Sequence, residues 1–135
     1  MPSQKSYKYR ILYVGRDLAL AAFLIDELKR IDCFVVRCPR GTEARSFIAS
    51  DINYSLLLFD DELPDMTGLA LAHFTSERAH RKTTPVVILS AEKARGMVAG
   101  LFFEKPFDVD SLVQTITARL QDSKSWASDS THIRQ

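Results

Sequence analysis

The sequence predicts an α/β domain built on a doubly wound, five-stranded parallel sheet in the order 2-1-3-4-5, with a shortened fourth helix. Short runs of large apolar residues, too brief for helices, read as strands buried on both faces. Between them lie segments with apolar residues three and four apart, the pattern of amphipathic helices. Right-handed crossovers between parallel strands then leave few strand orders. With 135 residues and a net charge of +1, the chain is expected to form one domain with a real core. That charge points to neither nucleic acid nor a membrane surface as a partner.

Residues 1–8 are polar and expected to be flexible, the domain to span 9–121, and 122–135 to form a polar tail around Trp126. Arg10 to Val14 is the first strand, ending at Gly15. Asp17 suits the N-cap of a helix whose face carries Leu20, Phe23, Leu24, Leu28 and Ile31. Cys33 to Cys38 is the second strand, closed by the turn signal Pro39-Arg40-Gly41. Thr42 is expected to cap a short helix through Asp51, with Ala44, Phe47 and Ile48 inward. Ser55 to Asp60 is the third strand, and Thr67 to His80 the next helix, its apolar residues Leu69, Leu71, Ala72 and Phe74. Val86 to Ser90 and Leu101 to Glu104 are the last two strands. The segment between them has room for only a short helix. Asp108 caps a final helix carrying Leu112, Ile116 and Leu120.

The cysteines have no metal-ligand spacing with the histidines and give no disulfide framework, so Cys33 and Cys38 read as free thiols of a cytoplasmic protein. No apolar run approaches the length of a membrane span.

The third strand runs into Asp60, Asp61 and Glu62, which places acids at the carboxyl edge of the sheet, where open α/β folds build their sites. In the predicted strand order, Gly15-Arg16, Asp60, Ser90 and Lys105 come from distant parts of the chain to one crevice.

Over about residues 8–121, this pattern resembles the receiver domain of two-component response regulators, a flavodoxin-like fold. The resemblance rests on Asp60 with Pro64 and Gly68 behind a buried strand, on Ser90 after strand four, and on Lys105-Pro106 after strand five. Phe102 falls where the family often has a switch aromatic. It implies that Asp60 accepts a phosphoryl group from a histidine kinase or a phosphotransfer protein and passes the signal to a downstream protein target. Ser90 and Lys105 would bind the phosphoryl oxygens, and the module would not itself be an enzyme.

Two departures qualify it. The family places two acids after strand one to hold Mg²⁺, and here Gly15-Arg16 stands there. Asp60 and a backbone carbonyl near Glu62 remain as ligands, so Mg²⁺ binding is expected to be weak or absent. Arg16 is expected to pair with Asp60, with Asp61 sharing the nearby cations. The second departure is the 15-residue separation of Ser90 and Lys105, which shortens the fourth helix and its output face. The leading expectation is therefore a stand-alone phosphorelay module. Its rival is a phosphorylation-independent interaction module that keeps the fold without the chemistry.

Overall fold

The computed structural model describes residues 6–91, 101–105 and 107–121, with the backbone alone for Leu101 and Phe102. Its five strands are β1 (Tyr9–Val14), β2 (Cys33–Cys38), β3 (Leu56–Asp60), β4 (Val86–Ser90) and β5 (Leu101–Glu104). They pair in parallel throughout, in the order β2-β1-β3-β4-β5. The described helices are α1 (Leu18–Leu28), α2 (Gly41–Ala49), α3 (Gly68–Ser76) and α4 (Val109–Gln121).

Side chains alternate across the strands and build two cores. Ile11, Tyr13, Leu56, Leu58, Val87 and Leu89 meet α1 and α4 on one face. Leu12, Val14, Leu57, Phe59, Val86 and Ile88 meet α2 and α3 on the other. Burial on both faces explains why β1, β3 and β4 are written as continuous apolar runs rather than alternating ones. Cys33 and Cys38 are free, buried and on opposite cores. Burial above all pushes the Cys33 thiol up to about 12, which leaves it inert at neutral pH. Among the described residues no helix is long and apolar enough to cross a membrane.

The expected helix to His80 stops at Ser76. Arg78 adopts extended backbone, and Ala79–Arg81 forms a separate 3-10 turn. Leu69, expected to be apolar support for the helix, is 37 % exposed. The Asp17 cap forms as expected, accepting from the Leu20 N–H at 3.0 Å. The expected 92–100 segment with its shortened helix, the Phe102 side chain, Pro106 and the tail with Trp126 lie outside the described residues.

Helix α2 is capped differently from the expectation for Thr42. Its N-cap position is Arg40, which supplies no side-chain cap, and Thr42 lies inside the helix. Asp65, from the loop after β3, accepts instead from the Gly41 and Thr42 N–H groups, each at 2.9 Å, and from the Thr42 hydroxyl at 2.8 Å. The Thr42 amide, then the Gly41 amide, hold the Asp65 carboxyl down to about 2, against an ordinary 3.8. A depressed folded-state pKa contributes stability above the unfolded value that is lost as pH falls through the folded one. Between about pH 4 and pH 2 the wild type should therefore lose stability faster than Asp65→Asn. Urea midpoints at several acidic pH values read this directly, and parallel curves for the two proteins would rule the cap out.

Candidate functional site

Strand parity decides which groups meet at the carboxyl edge. Asp60 follows Leu58 by two residues and so faces the α1/α4 side. Ser90 follows Ile88 by two and faces the α2/α3 side. Helix α3 starts directly on the acidic turn: the Gly68 N–H donates to the Asp61 carbonyl at 2.9 Å, and Thr67 Oγ1 accepts from the Ala70 N–H at 3.0 Å. A Cβ at position 68 would lie 2.7 Å from the Asp60 carbonyl oxygen and 2.9 Å from Asp61 Cα, so only glycine permits this approach.

Asp60 and Lys105 form the centre. Lys105 Nζ donates to Asp60 Oδ1 at 2.7 Å, with the Lys105 side chain 32 % and the Asp60 side chain 15 % exposed. The Lys105 N–H donates to the Ser90 carbonyl at 2.8 Å, which extends the β4–β5 pairing and fixes where the lysine leaves the sheet. Asp60 Oδ2 has no hydrogen bond among the described residues, so one carboxylate oxygen is held and the other is available. Sequence reasoning placed Asp60, Lys105 and Ser90 together, and the fold does bring them to one edge.

The remaining expected groups are arranged differently. Ser90, 4 % exposed, donates its hydroxyl to Asp61 Oδ2 at 3.2 Å. Asp61 Oδ1 accepts from the Leu69 N–H at 3.2 Å. Asp61 thus ties β4 to the start of α3 and, among the described residues, does not share the cations with Asp60. Arg16 is exposed and makes no ion pair with Asp60 among the described residues. Lys105 already occupies Asp60, and a guanidinium left in water avoids the cost of desolvation. The Glu62 side chain is exposed, while its backbone bridges to Thr67 and closes the loop.

Tyr13 was not anticipated. Two residues before Gly15 on the same face of β1, its ring reaches into the space that a side chain at position 15 would need. A Cβ there would run into the Tyr13 Oη and Cζ atoms. The signal was present in the sequence: a long aromatic two residues before a strand-end glycine can lean along the strand into the gap. Arg37, from β2, donates its Nη1 to the Gly15 carbonyl at 3.1 Å and was also missed.

No protein-family model and no curated relative matches the sequence, so structure carries the likeness. The HemR receiver domain of Leptospira biflexa superposes with a TM-score of 0.72 at 26 % identity, covering 84 % of this chain and 94 % of that one. A CheY-like receiver domain protein of Methanospirillum hungatei gives a TM-score of 0.74 at 22 % identity, covering 87 % and 97 %. The chain has the fold of a response-regulator receiver domain. The receiver domain of the sensor histidine kinase PA1611 of Pseudomonas aeruginosa also matches, with a TM-score of 0.69 at 19 % identity over 84 % and 98 % of the two chains. That domain holds a magnesium ion in its active-site cleft.

The residues of the present chain do not suit such an ion. Mg²⁺ requires six oxygens in near-octahedral array, usually with one or two carboxylates among them. Here β1 delivers Gly15 and Arg16 to the edge, Lys105 holds Asp60, and Asp61 is engaged by Leu69 and Ser90. The Tyr13 ring fills the place beside Gly15. Among the described residues no three His, Cys, Asp or Glu side chains converge as a metal-ligand group.

Proposed function

We propose that this chain accepts a phosphoryl group on Asp60 as a module of two-component signalling. The observation that carries this reading is the Asp60–Lys105 contact of 2.7 Å at the carboxyl edge, which leaves Asp60 Oδ2 without a partner among the described residues. A carboxylate oxygen so placed attacks phosphorus, the phosphorus–oxygen bond forms, and the phosphorus–nitrogen bond of a phosphohistidine breaks. The nitrogen keeps the electron pair and takes a proton from water. Lys105 Nζ then meets the charge on the transferred oxygens, with Ser90 a second donor if its hydroxyl turns from Asp61. The donor would be a histidine kinase or a phosphotransfer protein, and the output a protein target.

The metal has a small part in this scheme. Mg²⁺ should bind weakly or not at all, and calorimetric titration should give no saturable heat. Gly15→Asp with Arg16→Asp should not create a site by itself, because the new side chain at position 15 meets the packed Tyr13 ring. Adding Tyr13→Ser should open the space and allow Mg²⁺ to bind. Equal Mg²⁺ affinity with and without Tyr13→Ser would contradict this.

The missing acids also favour a second reading, a phosphorylation-independent interaction module with the same fold. Incubation with phosphoramidate, followed by intact-mass measurement, decides between them. One added phosphoryl mass on the wild type and none on Asp60→Asn supports phosphorylation. No addition to the wild type, with or without Mg²⁺, supports the interaction module.

A further inference from the structure

We infer that the Tyr13 hydroxyl is a hydrogen-bond donor to the phosphoryl group carried by Asp60, supplying part of the neutralisation that the crevice cannot draw from metal ligands. The inference rests on the proposed phosphorylation of Asp60 and concerns a residue outside the expected site.

Position is the first argument. β1 and β3 pair with Val14 beside Phe59, so one residue further on Gly15 lies beside Asp60. Tyr13 shares the face of Gly15 and of Asp60, and its ring leans forward into the space above the glycine. The phenol oxygen is therefore carried to the edge of the sheet next to the acceptor carboxylate. A side chain at position 15 would exclude it, so the glycine and the tyrosine act as a pair.

The second argument is an unused donor. Tyr13 is fully buried, and its hydroxyl proton finds no acceptor among the described residues; the Asp17 backbone N–H beside the oxygen can only donate to it. Buried polar groups in native proteins are nearly always paired, and an orphan costs stability. Phenylalanine would fill the same volume without that cost, so packing alone does not account for the oxygen.

The charged and polar groups around the phenol agree with a donor role. Burial pushes its pKa up to about 12; the Asp17 backbone N–H acts the other way, and the Asp60 and Asp17 carboxylates raise it while Arg37 lowers it. The hydroxyl keeps its proton at neutral pH. An arriving phosphoryl group brings acceptor oxygens to the side of Asp60 where this proton has no acceptor. Lys105 would bind from the β5 side and Tyr13 from the β1 side, two donors flanking one anion.

Tyr13→Phe tests this with the ring retained. Labelling by phosphoramidate in EDTA should slow roughly 10- to 100-fold relative to wild type, the effect of losing one hydrogen bond to a charged group. Affinity for inorganic phosphate, followed by NMR shifts of Lys105 and Gly15, should fall by a similar factor. The thermal midpoint should rise by a few degrees because the orphan hydroxyl is gone, and this also establishes that the variant is folded. Equal labelling rates would overturn the role of Tyr13 and leave phosphorylation of Asp60 intact. If the wild type itself is not labelled, the proposed function fails and phosphate affinity alone decides. A weaker affinity in Tyr13→Phe would then support the donor role, and an equal one would overturn it.

Discussion

Lys105→Met should slow phosphoryl transfer to Asp60 at least about 100-fold, the usual cost of removing one preorganised donor from a site where charge develops. The lysine is 2.7 Å from Asp60 Oδ1, and its backbone is held by the Ser90 carbonyl at 2.8 Å, so the ammonium is placed before any phosphoryl group arrives. Methionine keeps most of the side-chain length and removes the charge. The pair is partly exposed, so the loss of fold stability should be small, about 1 kcal/mol or less. Lys105→Arg should recover only part of the rate, because a planar guanidinium cannot occupy the place of a compact ammonium. Initial rates of phosphoramidate labelling, with urea midpoints measured alongside, separate chemistry from folding. Unchanged rates in Lys105→Met would show that the ion pair is structural only.

Arg81→Leu should be the most damaging of these substitutions to the fold, with a loss of about 3 kcal/mol. Arg81 is 4 % exposed. Its Nε donates to the Ile48 carbonyl at 2.9 Å, and its Nη2 to the Ser50 and Phe47 carbonyls at 3.0 and 3.3 Å. These carbonyls close the last turn of α2; the Phe47 carbonyl also accepts from the Ser50 N–H at 3.2 Å and the Ser50 hydroxyl at 2.6 Å. The guanidinium also lies 5.1 Å from the centre of the buried Tyr54 ring, so its charge meets both carbonyls and a π face. His80 Nε2 joins the Ser50 carbonyl at 2.9 Å from the same 3-10 turn. Leucine would fill the volume but remove the charged donor from all three carbonyls and the side-chain hydrogen bond from that of Ile48. Arg81→Lys should rescue little, since one ammonium cannot serve oxygens spread along a turn. Urea denaturation measures the loss, and one below about 1 kcal/mol would mean that water or His80 takes over the cap. Phosphoryl labelling of the folded variant should be unchanged. Arg81 precedes β4, whereas the site is at the strands' carboxyl ends.

The order of strands and helices, the two-sided burial of β1, β3 and β4, and the convergence of Asp60, Ser90 and Lys105 could all be read from the sequence. Each depends on local information: the length of an apolar run, the period of a helix, and the limited set of right-handed crossovers. Asp17 and α1 were legible for the same reason, because an N-cap acts within three residues of itself. The helix ends were less so. Nothing near Thr42 indicates that α2 is capped by Asp65, 23 residues further along, or that its last turn is closed by Arg81.

Only the tertiary structure decided how the charges at the edge are shared. From the sequence, Arg16 is expected to pair with Asp60 and Asp61 to share the cations, with Glu62 and Lys105 in the same set of ions. Strand parity separates Asp60 from Asp61, the α3 N-terminus and Ser90 claim Asp61, and Lys105 reaches Asp60 while Arg16 stays in water. Ion pairing is short-ranged in a solvated crevice and is decided by a few ångströms of placement, which a pattern of residue types does not contain. Tyr13 shows the same limit for packing. Its residue type reads as core at any strand position, and only the fold shows its hydroxyl proton buried without an acceptor among the described residues, on the face of Asp60.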